Sequence, residues 1–98
     1  MDRNEVVLTG EVVEVDAPRF TPAGIPVTGF TFRHVSSQPE ATGERRIDFR
    51  MAAVAMGDTS REAAGIQAGS LVKMRGFLAD RGRGQRELIL HVNRIAIE

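Results

Sequence analysis

The sequence contains no cysteine, no tryptophan and no tyrosine. Without cysteine the chain cannot form a disulfide, a reactive thiolate or a thiolate metal site, which fits a reducing compartment. No apolar run approaches the roughly 18 residues of a membrane-spanning helix. The first residues, from Met1 to Glu5, lack the apolar segment of a secretory signal. We therefore expect a soluble, cytoplasmic protein that does not enter a membrane.

Net charge is also lacking, because 13 basic and 13 acidic side chains cancel. The total charge therefore does not indicate nucleic-acid binding, and any such binding depends on uneven placement of the basic residues. Among the basic residues only Lys73 is a lysine, and the others are arginines. The planar fork of arginine suits phosphates and stacks on bases, although a compositional habit of the source genome would give the same bias.

Alternating apolar and polar residues predict five strands. Val13 and Val15, for example, alternate with acidic neighbours, and Gly10 indicates a bulge or a tight bend within the first strand. Three prolines mark segment 17–26 as a loop. The polar segment 36–44 is typical of a flexible hairpin connection. The strands are predicted at residues 5–16, 27–35, 45–56, 71–79 and 86–97.

One short helix is predicted at residues 59–68, between the third and fourth strands. Thr59 and Glu62 match the capping-box pattern, and Gly69 ends the helix. This order of elements indicates an all-β fold, a five-stranded Greek-key barrel of the oligonucleotide-binding (OB) type whose open end the helix closes. We expect residues 1–98 to form one such domain. Segment 52–56 is apolar on both faces, which fits burial under the helix and a subunit interface equally well.

The sequence shows no arrangement of residues that indicates catalysis. His34 and His91 fall on different strands without metal-ligand spacing, so each is more simply a surface or hydrogen-bonded structural residue. The serines lack a nucleophile-elbow pattern, and no glycine-rich phosphate loop joins a strand to a helix. We therefore predict a protein that is not an enzyme and that holds neither a metal nor a cofactor.

Arginines occur in three regions that an OB barrel brings to one side. These regions are the loop between the first two strands, the third strand, and the hairpin between the last two strands, where the fold binds single strands. For any one region alone, a solvated charged tip that prevents edge pairing is the better explanation, and only the convergence of all three regions favours binding. The predicted single-stranded-DNA-binding residues are Arg19, Arg45, Arg46, Arg50, Arg81, Arg83 and Arg86.

Several motifs, spread over nearly the whole chain, resemble those of one protein family. The shared motifs are Leu8-Thr9-Gly10, Thr-Pro-Ala-Gly-Ile-Pro at 21–26, Phe-Thr-Phe-Arg-His at 30–34, Met51, Ala-Gly-Ser-Leu-Val-Lys-Met-Arg-Gly-Phe at 68–77, and Leu90-His91. In these motifs the chain is similar to the PriB family, primosomal replication protein N. The proline-rich block and His34 are the most specific of them, since the glycine-serine motif occurs widely in single-stranded-DNA-binding OB proteins.

The resemblance implies a homodimeric, single-stranded-DNA-binding accessory protein of the replication-restart primosome. Such a protein stabilises the PriA helicase on DNA and helps to recruit other primosome proteins. The basic positions that match the family's binding residues are Arg19, Arg45, Arg81, Arg83 and Arg86.

Two departures from the family pattern predict weak binding of DNA. Asp48 stands where enteric members carry a tryptophan that stacks on bases, and Val35 replaces a basic residue. Stacking contributes about 1–3 kcal/mol per base, and a carboxylate that faces phosphates opposes binding. Contacts with phosphates would then carry most of the affinity, which predicts a steep dependence on salt.

Two further functions are compatible with the sequence. The first is a protein-interaction adaptor that stimulates PriA with only weak DNA binding, and Asp48 and the neutral total charge favour it. The second is an RNA-binding protein like the cold-shock domains. It fits less well, because those domains use surface aromatic residues whereas the phenylalanines here are mostly at positions that alternate toward the core.

Overall fold

The computed structural model describes residues 2–82, 84 and 86–98. Its elements are β1 (Val6–Val15), β2 (Arg19–Phe20), β3 (Pro26–Glu40), β4 (Gly43–Met56), α1 (Asp58–Ala64), β5 (Leu71–Asp80) and β6 (Leu88–Ile97). The two-residue strand β2 lies within the predicted proline-rich loop. In this described part of the chain, no helix is long and apolar enough to cross a membrane.

The five long strands close into a barrel. The strand order is β1-β5-β6-β4-β3-β2, and β1 also pairs with β3. Neighbouring strands are antiparallel except β4 and β6, which pair in parallel through Ala53 to Ala55 of β4. The single helix lies between the third and fourth long strands, β4 and β5. The predicted five-stranded OB barrel with one helix at this place is therefore confirmed.

Strand β1 belongs to both ends of the sheet because it curls. Its first half pairs with β5 up to Glu11, and its second half pairs with β3 after an irregularity between Val12 and Glu14. Gly10 lies just before this change of partner. A Cβ atom on Gly10 would be 2.8 Å from the Phe32 ring, so only glycine lets β1 pass this close to β3.

The core fills the inside of the barrel and is covered at one end by α1. Its buried members are Val12, Phe30, Phe32, Ala53, Ala55, Ala63, Val72, Met74, Leu90 and Val92. On the helix, Ser60 is buried, and its Oγ atom lies 2.8 Å from the hydroxyl of buried Thr28 on β3. The inner face of segment 52–56 is apolar because Ala53 and Ala55 are part of the barrel core.

The helix begins and ends elsewhere than predicted, and its capping box is absent. The residue that precedes α1 is Gly57, with φ 67°, and no side chain caps the first turn. The Thr59 hydroxyl instead donates to the carbonyl of Asn93, 3.3 Å away on β6. The helix ends at Ala64, where the amides of Gly65 and Ile66 donate to the carbonyls of Glu62 and Ala63, three residues back, and so tighten the last turn.

Segment 36–44, predicted to be a flexible connection, is mostly strand. The β3–β4 ladder continues without interruption until Glu40 pairs with Gly43, which leaves Ala41 and Thr42 as the turn. The alternation of apolar and polar residues that predicts a strand is absent from these strand ends, because their side chains are polar on both faces. The two strands therefore form a ribbon that extends beyond the barrel.

Candidate nucleic-acid interface

The outer face of the β3–β4 ribbon carries a network of charges. Arg33 lies opposite Arg50, and Asp48 lies opposite Val35, so the three charged side chains share one face. The Arg33 guanidinium donates to both oxygens of Asp48, with Nε–Oδ1 2.9 Å and Nη2–Oδ2 2.6 Å. Arg46 Nη2 lies 3.7 Å from the same carboxylate.

The sequence suggested that Asp48 is a carboxylate that faces phosphates. In the structure Asp48 is instead the partner of two arginines. The hydrogen bonds from Arg33 hold the pKa of the Asp48 carboxyl below its ordinary value, and the charges of Arg33, Arg46 and Arg50 act in the same direction. Among the described residues, Arg50 has no ion-pair partner. On this face of the ribbon three arginines stand against two carboxylates, Asp48 and Glu44, and Glu11 of β1 lies opposite Arg33.

Arg45 does not share this face. It lies opposite Gln38 near the end of the ribbon, one residue out of phase with Arg46, and its Nη1 atom is 3.5 Å from Glu40 Oε1. Arg19 lies opposite Val27 at the other end of β3. At about 3.3 Å per residue, positions 27 and 38 of one strand are roughly 36 Å apart. The expected gathering of Arg19 and Arg45 into one cluster is thus not found.

A cavity of about 510 Å³ brings Arg19 and Arg81 together. Arg19 and Phe20 come from β2, and Arg81 comes from the start of the β5–β6 hairpin. Val54 of β4 and half-buried His91 of β6, which lie opposite each other, also line this cavity. Arg81 is held by Glu87 across the hairpin, with Nε–Oε2 3.1 Å.

A second cavity of about 490 Å³ lies where β4 leaves the barrel, and Arg50, Phe49 and Arg81 line it together with Glu87. Arg81 thus borders both cavities. We call the two cavities together the front groove. Its main side chains are Arg19, Phe20, Phe49, Arg50, Arg81 and His91.

The loop that carries Arg19 and Phe20 is fixed by its own backbone. The amide of Gly24 donates to the Thr21 carbonyl at 2.8 Å, and the Ile25 amide donates to the Thr21 hydroxyl at 3.1 Å. Gly24 has φ 86°, a value that suits glycine. This turn returns the chain to β3 and places Phe20 opposite Pro26. The side chain of Phe20 is 70% exposed.

A stacked aromatic pair lies at the border of the front groove, since His91 lines the groove and Phe77 stands next to it. The rings of Phe77 and His91 are stacked, with centroids 5.0 Å apart and an angle of 12° between their planes, and Phe77 is 40% exposed. A β-bulge between Arg75 and Gly76 sets this pairing. A Cβ atom on Gly76 would lie 1.8 Å from the His91 carbonyl oxygen, so only glycine allows the two strands to approach so closely.

The prediction that the phenylalanines are mostly core-facing is wrong. Phe30 and Phe32 are buried, but Phe20, Phe49 and Phe77 are at least 37% exposed. Sequence analysis also missed His91 as a surface partner of Phe77. The available signal was the alternation of β5, in which Met74 faces the core and its odd-numbered neighbours face outward. The sequence disfavours a base-stacking surface because its phenylalanines are predicted to face the core, and the structure removes this argument.

His34 has a structural role, as the sequence suggested. It is 8% exposed, and its Nδ1 atom donates to the Thr9 carbonyl at 2.7 Å. Its Nε2 atom then accepts from the Ser36 hydroxyl at 2.8 Å. The ring thus ties β3 to β1. Within the described residues, no group of three or more histidine and acidic side chains is arranged to hold a metal ion.

Arg46 and Arg86 are exposed on the ribbon and on the hairpin, respectively. Arg83 lies outside the described residues. The structure thus brings Arg19, Arg50 and Arg81 to the front groove, with Arg46 beside it on the same face of β4 as Arg50.

Comparison with known proteins gives one consistent family. A family model described as another single-strand binding protein family matches residues 4–94. The replication restart protein PriB of Nitrosomonas europaea is 38% identical over 92 residues, which are 94% of this chain and 85% of that protein. PriB of Photorhabdus laumondii is 35% identical over an alignment of 100 positions, which covers 99% of this chain and 95% of that protein.

Solved structures agree with the sequence relatives. PriB of Ralstonia solanacearum superposes with a TM-score of 0.90 at 26% identity and covers 99% of each chain. A small single-stranded DNA-binding protein of Streptomyces coelicolor has a TM-score of 0.76 at 15% identity, over 100% of this chain and 95% of that one, which shows a common fold. From its sequence relatives and its fold, this chain belongs to the PriB family of replication restart proteins.

Proposed function

We propose that this chain binds single-stranded DNA in the front groove and thereby serves replication restart in the cytoplasm as a primosome accessory protein. The observation that carries the proposal is the front groove itself, where three arginines from separate elements border exposed aromatic rings. Groups of these two kinds bind single strands without reading their sequence, because cations hold phosphates and every base has a face that can stack.

Each part of the groove has a distinct task in this proposal. Arg19, Arg50 and Arg81 hold phosphates, while Phe20 and the Phe77–His91 pair receive bases. Arg46 and Arg86 extend the cationic surface along the ribbon and the hairpin. Arg45, on the other face of the ribbon, and Arg83 remain predicted contacts on the strength of the family resemblance alone.

The affinity should depend strongly on salt. If about three phosphates are contacted, log K should fall by about 2 for each tenfold rise in salt, since a single strand contributes roughly 0.7 per contact. The test is a fluorescence-anisotropy titration with labelled oligo-dT at several salt concentrations. Tight binding that salt does not weaken would contradict the proposal.

A second candidate is an adaptor that binds the PriA helicase through the same groove and binds DNA only weakly. The ion pairs Arg33–Asp48 and Arg81–Glu87 favour it, because each takes up cationic charge that would otherwise meet phosphates. An acidic protein surface attracts the remaining arginines as DNA does.

Charge reversal separates the two candidates. The double variant Arg50→Glu and Arg81→Glu should lose DNA binding in the first case while it still forms a complex with a cognate PriA. In the second case, the variant should lose the helicase complex. Arg61→Glu, on α1, is the control for a charge reversal outside the groove.

A further inference from the structure

A second group of cations lies on the outer face of β5 and β6, outside the front groove. It consists of Lys73, Arg75 and Arg94, which line a cavity of about 490 Å³ together with Glu62 of α1 and Val7 of β1. We call these three cations the β5–β6 basic cluster. The only lysine of the chain is one of its members.

The cluster contains two like charges that face each other. Arg75 and Arg94 are direct partners across the antiparallel β5–β6 ladder, and like charges in this position destabilise a sheet. Arg75 Nη2 has one carboxylate partner, Glu5 Oε1, at 2.9 Å, and both side chains are about half exposed. Lys73 and Arg94 have no ion-pair partner among the residues that the structure describes.

Protection of a sheet edge does not explain the cluster. Charges often guard the edges of sheets against pairing with other chains. Here β5 lies between β1 and β6, so Lys73 and Arg75 are on an inner strand of the sheet. The cavity lining holds these three cations and one carboxylate, Glu62, while Glu5 pairs with Arg75. Glu11 lies opposite Leu71, two residues along β5 from Lys73. An anion in the cavity would relieve the repulsion among the three cations.

The cluster is continuous with the aromatic pair beside the front groove. On β5, Val72, Met74 and Gly76 are buried, whereas Lys73, Arg75 and Phe77 are exposed. On the outward face the Phe77–His91 pair comes next after the Arg75–Arg94 pair, because the Gly76–Val92 pair between them faces inward. One row of outward side chains thus leads from three cations to a pair of rings, and these are the two kinds of group that bind a single strand.

We propose that the β5–β6 basic cluster is a second phosphate-binding site that holds the backbone of the same DNA strand beyond the front groove. The proposal rests on the function proposed above. It predicts that a short oligonucleotide is bound by the front groove and the Phe77–His91 pair, whereas a long one continues beyond that pair and reaches the cluster.

The test compares two lengths of oligo-dT on one variant. In Lys73→Gln, Arg75→Gln, Arg94→Gln the three charges are removed and side chains of similar shape are kept. We use labelled oligonucleotides of about 6 and about 30 nucleotides, because one OB fold occupies roughly 4–16. Anisotropy is measured at several salt concentrations. Arg61→Gln, whose guanidinium is paired with Asp58, is the control for loss of an exposed charge.

For the long oligonucleotide, the salt slope of the triple variant should be smaller by about 2, which is three contacts at roughly 0.7 each. When salt rises from about 50 to about 200 mM, affinity for the long oligonucleotide falls in both proteins. The factor by which it falls should be about 20 times smaller for the variant than for the unaltered protein. Binding of the short oligonucleotide should not change. The melting temperature should be equal or higher, because like charges have been removed.

Three results would overturn the proposal. An unchanged slope on the long oligonucleotide would mean that the cluster does not meet phosphates. Equal losses on both lengths in a folded variant would mean that the cluster is not a separate site. Normal binding of long DNA combined with loss of the complex with PriA would assign the cluster to a protein. If the unaltered protein binds neither length, the proposed function itself fails, and this inference fails with it.

Discussion

At the scale of single residues, two glycines decide how closely the strands approach. Gly10 and Gly76 both occupy positions where a Cβ atom would overlap a neighbouring strand, and at Gly76 the obstacle is backbone. Backbone cannot move aside as the end of a flexible side chain can. The pairing of Phe77 with His91 therefore depends on the absence of a side chain at Gly76.

Gly76→Ala should lower the free energy of unfolding by about 3 kcal/mol, since overpacking in a tight site costs this much. The measurement is urea denaturation followed by circular dichroism. Gly43→Ala is the matched control, because a Cβ atom there has open space around it, and it should change stability by less than about 0.5 kcal/mol. Equal stability of the two variants would show that the bulge at Gly76 tolerates a side chain.

A second residue-scale prediction concerns Asp48, whose carboxylate holds Arg33 in a two-pronged ion pair. Asp48→Asn should raise the affinity for oligo-dT, because it frees one cation on the ribbon. One additional phosphate contact should steepen the salt slope by about 0.7. Asp58→Asn, which breaks the Arg61 pair on α1, is the control and should leave the slope unchanged. An unaltered affinity of Asp48→Asn would place the DNA away from this face of the ribbon.

The same carboxylate gives a pH dependence with a definite sign. Because Arg33 lowers the pKa of Asp48 in the folded state, the ion pair contributes to stability above the ordinary aspartate value near 4, and this contribution is lost as the pH falls through the lowered pKa. The slope of stability against pH in the acid range should therefore be shallower in Asp48→Asn than in the unaltered protein. Equal slopes in acid denaturation would contradict this.

At the scale of elements, the last hairpin carries more of the candidate site than its arginines suggest. Strands β5 and β6 present the stacked Phe77–His91 pair, while Arg81 at the start of their connection borders both cavities. The ribbon contributes charge, and β2 contributes one cation and one exposed ring. These three elements meet because the barrel closes between β4 and β6.

Phe77→Leu should weaken binding of oligo-dT about fivefold or more, because a stacked base contributes about 1–3 kcal/mol. Leucine keeps an apolar side chain at this position, so the fold should be retained. Ile97→Ala is the control, since Ile97 is exposed at the other end of β6 and borders none of the three cavities described above. Anisotropy titration gives the ratio of affinities, and equal binding by Phe77→Leu would mean that bases do not stack at this position.

The elements show where sequence analysis succeeds and where it fails. The barrel was predictable because core strands such as β5 alternate between buried and exposed residues. The strand ends around Glu40 and Gly43 were not, because both faces of the ribbon are exposed. Backbone hydrogen bonds and exposed polar contacts such as Ser37–Glu44 hold it, and it has no buried apolar face that a sequence pattern could show. The capping box at Thr59 failed because that hydroxyl donates to Asn93, a residue distant in sequence.

The candidate site was predictable only in part, for a related reason. A list of arginines follows from the sequence, but the face on which each lies depends on strand register, which separates Arg45 from Arg46. The pairing of Arg33 with Asp48 likewise joins residues of two strands. Exposure of Phe20 and Phe77 was missed because phenylalanine is usually buried.

At the scale of the whole molecule, zero net charge coexists with local excess of cations. Some acidic side chains are held in ion pairs such as Arg33–Asp48 and Arg81–Glu87. Asp80 lines the same cavity as Arg19 and Arg81, where the arginines outnumber it. We therefore do not expect the electric field of the whole protein to steer DNA strongly toward it. The rate of association with DNA should depend on the local charge of the groove.

The homodimer implied by the family resemblance also belongs to this scale. Segment 52–56 gives it no separate support, since Ala53 and Ala55 are buried in the core of the barrel. We expect a dimer in sedimentation-velocity ultracentrifugation at micromolar concentration. A monomer alone across that range would count against the resemblance in this respect, while leaving the fold and the groove as they are.

Strand β6 is the piece that joins the two halves of the barrel, since it pairs with β5 on one side and with β4 on the other. Ribosomes make proteins from the amino end, so β6 leaves the exit tunnel after β1 to β5. Until then a nascent chain can already form the β3–β4 hairpin, but it offers the open flank of β4 to any extended peptide nearby. The open flank of β4 is thus exposed to such pairing during the interval between the emergence of β4 and that of β6.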